Sequence, residues 1–174
     1  MTPLILPYKG VSPRISDKAF IAPSASIVGD VEIGAGSGIW FNCVVRGDVE
    51  WVKIGERTNV QDGTVIHVTR NGHPTSIGSN VTIGHACILH ACTIEDYSFV
   101  GMGALVMDDA VIESGAMLAA GAQLTPNKRI PKGQLWAGRP AKYFRDLSED
   151  EIKFIGISAE NYYKHVNEYL AELA

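Results

Sequence analysis

Bulky apolar residues return every six positions along most of this chain, with small or polar residues between them. The first run is Ile15, Ile21, Ile27, Ile33, Ile39 and Val45. A nine-residue step leads to Ile54, Val60 and Ile66, and an eleven-residue step to Ile77, Ile83 and Leu89. After five more residues comes the longest run: Ile94, Val100, Val106, Ile112, Leu118, Leu124, Ile130 and Trp136. Four residues after most anchors stands something small, among them Ala19, Ala25, Ser37, Thr58, Thr64, Ser98, Ala104, Ala110, Ala116 and Ala122. Glycine follows an anchor or falls at a turn, as at Gly34, Gly55, Gly78, Gly84 and Gly101.

A period of six fits neither the 3.6-residue helix nor a two-sided strand. It fits a coil with three short flat faces, in which the anchor points inward and the small residue fills the corner. Three hexads make a coil of about eighteen residues, and coils stack at the inter-strand spacing of roughly 4.8 Å. The pattern predicts an all-β solenoid, a parallel β-helix, over residues 1–147, with an N-terminal lead-in and a closing turn at Trp136–Ala141. Ser148-Glu149-Asp150-Glu151 then reads as a capping box. Ile152, Ile155, Ala159, Tyr162, Val166, Leu170 and Leu173 form a stripe at helical spacing. Residues 148–174 are therefore a C-terminal α-helix packed along one side of the β-helix, with Gly156 a candidate kink.

The three faces serve as a coordinate system. With Val45 on face A, Ile54 lies on B, Val60 on C, Ile66 on A, Ile77 on B, Ile83 on C and Leu89 on A. His67 and His90 each follow a face-A anchor by one residue, so they stack on adjacent coils, outward-facing and about 5 Å apart. Arg46 holds the same outward position one coil earlier. His85 and Asp62 each follow a face-C anchor by two, with Gln61 beside Asp62, around a corner from the first pair. One prism does not bring faces A and C onto one ion, whereas three prisms packed side by side in a ring do. The geometry predicts an intersubunit site in a homotrimer. Three imidazoles and a water make the open tetrahedral arrangement of a catalytic zinc site. His73 and His165 have no stacked partner and read as surface residues.

Arg46-Gly47-Asp48, Asn59-Val60-Gln61-Asp62, His67 and His85-x4-His90 resemble the signature of the γ-class carbonic anhydrases and their bacterial hexapeptide-repeat homologues. The resemblance covers most of the chain and implies a left-handed coil. It implies reversible hydration of CO₂ to bicarbonate by a metal-bound hydroxide at the trimer interface, with His67, His85 and His90 as ligands to Zn²⁺ (Fe²⁺ or Co²⁺ would also accept them). Gln61 would hydrogen-bond the reacting water, with Asn59 and Tyr162 nearby, and Arg46 would pair with Asp48 and Asp62 around the subunit contact. CO₂ is uncharged, so its waiting place should be apolar. Met102, one coil above His85, and Met107, one coil above His90, are the candidate walls. Where active family members carry glutamates this chain has Val49 and Arg70, and Glu50 and His73 are the alternatives for proton transfer. An acyltransferase or thioesterase, as elsewhere in this fold, and a catalytically weak structural subunit remain as other readings.

Charge and composition exclude other classes. The formal net charge of −4 is carried by residues 148–174, which hold six carboxylates against two lysines, and no basic patch suggests a nucleic-acid partner. MTPLILPYKG is too short and too broken by proline for a signal peptide or membrane span. Three cysteines, Cys43, Cys87 and Cys92, argue against a disulfide framework, and without an export signal the reducing cytoplasm is the expected compartment. Cys43 and Cys87 sit at corners and read as core thiols.

Overall fold

The structure, a computed structural model, describes residues 2–173. They form a left-handed parallel solenoid of about 7 turns followed by one helix. The strands lie along three faces, and the anchors pair in the register the spacing dictates. On face A, Val45 pairs with Ile66 and Ile66 with Leu89. On face B, Ile54 pairs with Ile77, and on face C, Val60 pairs with Ile83. Two long strands, Ser26–Ile33 and Val44–Ile54, run from face A to face B around the corner, and the nine-residue step between Val45 and Ile54 is the bulge they carry.

The anchors make one continuous core. Ile27, Ile39, Val60, Ile66, Ile83, Leu89, Val100, Leu118 and Leu124 are all 0% exposed. Burial of each such side chain contributes about 1.5–3 kcal/mol relative to exposure. The corner hydroxyls do more than fill space. Ser37 Oγ donates to the Gly55 carbonyl at 2.7 Å, Thr58 Oγ1 to Gly78 at 2.7 Å and Thr64 Oγ1 to Gly84 at 3.1 Å, so each buried polar group links its coil to the next. The glycines allow the close stacking: a Cβ on Gly84 would lie 2.6 Å from the Met102 nitrogen.

The ends depart from the pattern. Ile15, Ile21 and Trp136 are only half-buried, because an end coil has no neighbour on one side. The first strand, Leu4–Leu6, pairs with Ser26–Val28, so the coil begins one face earlier than the spacing indicated. Its anchor is hidden from the period by the Tyr8–Val11 excursion. After the last coil, Lys142–Asp146 turns back antiparallel on Gln134–Ala137.

Helix α1 (Glu149–Glu172) starts at the expected cap: Ser148 Oγ accepts from the Glu151 N–H, and Glu151 Oε2 accepts from the Ser148 N–H. It runs unbroken through Gly156. It packs on face C of its own solenoid, against Phe20–Ile21, Gly38–Ile39, Asn59–Val60 and Thr82–Ile83. Ile155, Ala159 and Val166 are buried there and Tyr162 and Leu170 pack alongside, but Ile152 and Leu173 stay exposed at the ends of the stripe. No helix is long and apolar enough to cross a membrane among the described residues.

Candidate metal centre

Face A brings His67 and His90 together. They pair across adjacent strands, Val65–His67 and Ile88–His90, with ring centroids 5.3 Å apart and planes inclined at 49°. Each imidazole is also held by a carboxylate. His67 Nε2 lies 3.0 Å from Asp48 Oδ1, and Asp48 Oδ2 accepts from Arg46. Burial pushes the Asp48 carboxyl up, but the bonds from His67 and Arg46 outweigh it and hold the group below the ordinary aspartate range. His90 Nδ1 lies 2.7 Å from Asp108 Oδ1, whose other oxygen accepts the Thr69 hydroxyl. There too burial raises the carboxyl pKa, and Thr69 and His90 bring the net shift downward.

Around the corner His85 Nδ1 lies 2.9 Å from Asp62 Oδ2, the contact expected of two residues stacked in one column. For His90 the carboxylate occupies Nδ1 through a hydrogen bond, which leaves Nε2 as the outward donor, while at His85 Asp62 only approaches Nδ1. That carboxylate–imidazole arrangement is the usual support of a ligating histidine, because it sets tautomer and ring orientation. No group of three His, Cys, Asp or Glu side chains converges on one point among the described residues. One chain thus presents a pair of imidazoles on one face and a third on another.

Beside Asp62, Gln61 is 7% exposed and Asn59 1%. Gln61 Nε2 donates to Asn59 Oδ1 at 3.1 Å. Tyr162 of α1 meets the Trp40 ring edge-on at 5.6 Å, and burial with the nearby Asp62 charge raises its phenol pKa. Trp40, Asp62, Tyr162 and His165 border an open cleft of about 420 Å³. His165 is exposed but makes edge contacts with Trp40 and Tyr162, so it is more than a free surface residue. The register Ile83–Val100 sets Met102 in the column of His85, exposed, and Leu89–Val106 sets Met107 in the column of His90, where its sulfur lies 3.6 Å from Gln123 Nε2.

Within one chain Arg46 pairs with Asp48, while Asp62 pairs with His85. His73 Nε2 lies 2.9 Å from Asp109 Oδ1 without a hydrogen bond between them, and the imidazole is exposed. Val49 packs against the core, and Arg70 is exposed. Asp108 escaped sequence reasoning. Its only signal was the Asp108-Asp109 pair about one coil above His90. The three cysteines are buried and unpaired, and burial pushes Cys43 and Cys87 up to about 11 and Cys92 up to about 12. None is a thiolate nucleophile near neutral pH.

No family model matches the chain. It is 45% identical over 150 residues to a carbonic anhydrase of Geobacillus kaustophilus, covering 86% of this chain and 82% of that protein. The chain belongs to the family of γ-class carbonic anhydrases and their hexapeptide-repeat relatives. A second member, gamma carbonic anhydrase 1, mitochondrial, of Arabidopsis thaliana, is 49% identical over 168 residues, 94% of this chain, and the chain spans 61% of that protein's length. A solved hexapeptide transferase family protein from Anaplasma phagocytophilum is 52% identical, covers 95% of this chain and 98% of its own, and superposes with a TM-score of 0.92. The chain thus shares its fold with a protein described as a member of a hexapeptide transferase family.

Proposed function

We propose that this chain reversibly hydrates CO₂ to bicarbonate at a divalent metal held by His67 and His90 of one copy and His85 of the adjacent copy in a homotrimer. The observation that carries the reading is the stacked imidazole pair at 5.3 Å, with the third imidazole one face away beside Asp62 and a carboxylate bonded to Nδ1 of His90. Neutral imidazoles so oriented suit Zn²⁺, and also Fe²⁺ or Co²⁺. Such an ion, when bound, supplies a Lewis acid that lowers the pKa of a coordinated water toward roughly 7.

The chain's own residues supply the rest. Gln61, anchored on Asn59, orients the reacting water through the amide oxygen that Asn59 leaves free. Tyr162 closes the cleft from the helix side, beside Asp62. Met102 and Met107 give CO₂ an apolar approach, since an uncharged solute gains nothing from polar walls. Arg46, tied to Asp48, is placed on the outer side of face A to reach Asp62 of the adjacent copy and hold the trimer in register. With Val49 turned onto the core and Arg70 cationic, proton release passes to buffer, with Glu50 and His73 as the alternatives. Three unpaired thiols suit a reducing compartment such as the cytoplasm.

Metal analysis with stopped-flow CO₂ hydration on anaerobically purified trimer tests the proposal. One metal per subunit with buffer-dependent hydration is the expected result. Full metal without hydration, together with turnover of an acyl thioester, would transfer the chain to the acyltransferase or thioesterase class.

A further inference from the structure

A line of four buried side chains joins Gln61 to the C-terminal helix. Gln61 Nε2 donates to Asn59 Oδ1 at 3.1 Å, Asn59 Nδ2 donates to Thr82 Oγ1 at 3.0 Å, and Thr82 Oγ1 meets Ser158 Oγ at 3.0 Å. Their exposures are 7%, 1%, 1% and 9% in the order Gln61, Asn59, Thr82, Ser158, so water does not compete for these bonds. A chain of amides and hydroxyls can run in either direction, because each member both donates and accepts. One contact breaks that symmetry. Asn59 Nδ2 also lies 3.3 Å from the Val81 carbonyl, which only accepts. The Asn59 nitrogen must therefore face Val81 and Thr82, its oxygen must face Gln61, and Gln61 must present its nitrogen to Asn59. Thr82, having accepted from Asn59, needs an acceptor for its own buried proton, and Ser158 is the one it meets among the described residues.

We infer that Ser158, by taking the Thr82 proton, is the positioning residue that keeps the Asn59 and Gln61 amides in the polarity the Val81 carbonyl favours, with the Gln61 oxygen as the end offered to the reacting water. The inference rests on the proposed hydration activity, and it assigns the helix a role in the site through Ser158. Without the Ser158 hydroxyl, the Thr82 proton would seek the Asn59 amide oxygen in competition with the longer 3.3 Å Val81 contact, so part of the population would reverse that amide and leave Gln61 offering N–H groups outward. Deleting both hydroxyls removes the demand, because an unsatisfied buried donor costs more than a pair replaced together.

The test uses the intact metal-loaded trimer and two readouts: kcat and KM for CO₂, and hydrogen exchange of the Gln61 side-chain NH₂, assigned by its loss in Gln61→Glu. In the native protein that NH₂ should exchange slowly. Ser158→Ala should speed its exchange by at least about tenfold and lower kcat by about tenfold, with KM within about twofold, as expected when only the orientation of a reacting group is lost. Ser158→Thr, which keeps the hydroxyl, and the double variant Thr82→Val with Ser158→Ala should both return toward native values. Faster turnover loss in the double variant, a fall in kcat with exchange unchanged, or altered exchange with kcat unmoved would each overturn the inference. If native protein hydrates no CO₂, the proposed function fails, and the exchange pattern across the same variants alone decides whether the polarity is set from the helix.

Discussion

His90 and Asp108 form a 2.7 Å contact between Nδ1 and Oδ1, although they stand on successive coils. The carboxylate also accepts the Thr69 hydroxyl, so it is pinned from two sides and fixes both the tautomer and the direction of the ring. The His67–His90 face is thereby ordered by the coil above it. His67 is treated differently: Asp48 takes Nε2, and Arg46 anchors Asp48 in turn.

Asp108→Asn should therefore weaken metal binding by about 10–100-fold, the usual cost of losing a ligand's outer carboxylate. His67→Ala, His85→Ala and His90→Ala should each abolish stoichiometric binding, since two imidazoles make a poor site. His73→Ala, on an exposed loop, should leave affinity unchanged. Competition against a chromophoric chelator reads all five, and full occupancy in any ligand variant would refute the assignment.

Assembly gives an independent check. Sedimentation should show one species near three times 18.8 kDa. Subunits carrying His67→Ala mixed with subunits carrying His85→Ala, after dissociation and reassembly, should regain part of the activity that each lacks alone. Some interfaces in mixed trimers carry no mutated ligand. A metal-loaded monomer would end the split-site reading.

Turnover should rise with buffer concentration. A positioned acid–base group contributes typically about 10²–10⁴-fold, so its absence should appear in kcat rather than in kcat/KM. Arg70→Glu should raise kcat at low buffer and flatten the dependence. Hydration that is fast and indifferent to imidazole would direct attention to Glu50 and His73.

The stacking predicts a contrast between two glycines. Gly84→Ala should destabilise by about 1–3 kcal/mol, because the new Cβ meets the Met102 backbone and the coil above must move. It should also disturb the neighbouring His85 and so weaken metal binding. Gly103 has open space around a Cβ but a φ of +67°, so Gly103→Ala should cost only about 1 kcal/mol, from backbone strain alone. Chemical denaturation of both variants compares them directly.

At the helix cap, Arg145 and then the Ser148 N–H hold the Glu151 carboxyl down at about 2. A carboxyl depressed in the folded state stabilises above its unfolded pKa, and that contribution drains away as pH falls from about 4.5 toward 2. Ser148→Ala should cost about 1 kcal/mol at neutral pH. Arg145→Ala should shrink the acid-dependent loss of stability between those limits, as followed by denaturation at stepped pH.

The coil itself was readable in the spacing of single residues. A parallel solenoid repeats one backbone geometry, so a count of hexads and insertions gives the face, the coil and the inward or outward sense of every position. That is why the stacking of His67 on His90 and of His85 on Asp62 followed from arithmetic on the chain. The γ-class family signature was legible for the same reason, since its residues lie at fixed offsets from the anchors.

Side-chain choices across long separations were not legible. Asp108 lies one residue past the column of His90, and whether it turns toward that ring depends on the Thr69 loop, whose length breaks the repeat. Val49 packs against the core within the irregular stretch between Gly47 and Val52, which the spacing of anchors showed only as a longer step. The stripe on α1 announced an apolar face, but not that it would lie on face C of its own coil, nor that Ser158 would reach Thr82, 76 residues away in sequence. Periodicity determines where backbone ladders pair. Which side chains then share a proton is settled by how a separate helix docks, and the docking energy is spread over Ile155, Ala159 and Val166 with no single residue to announce it.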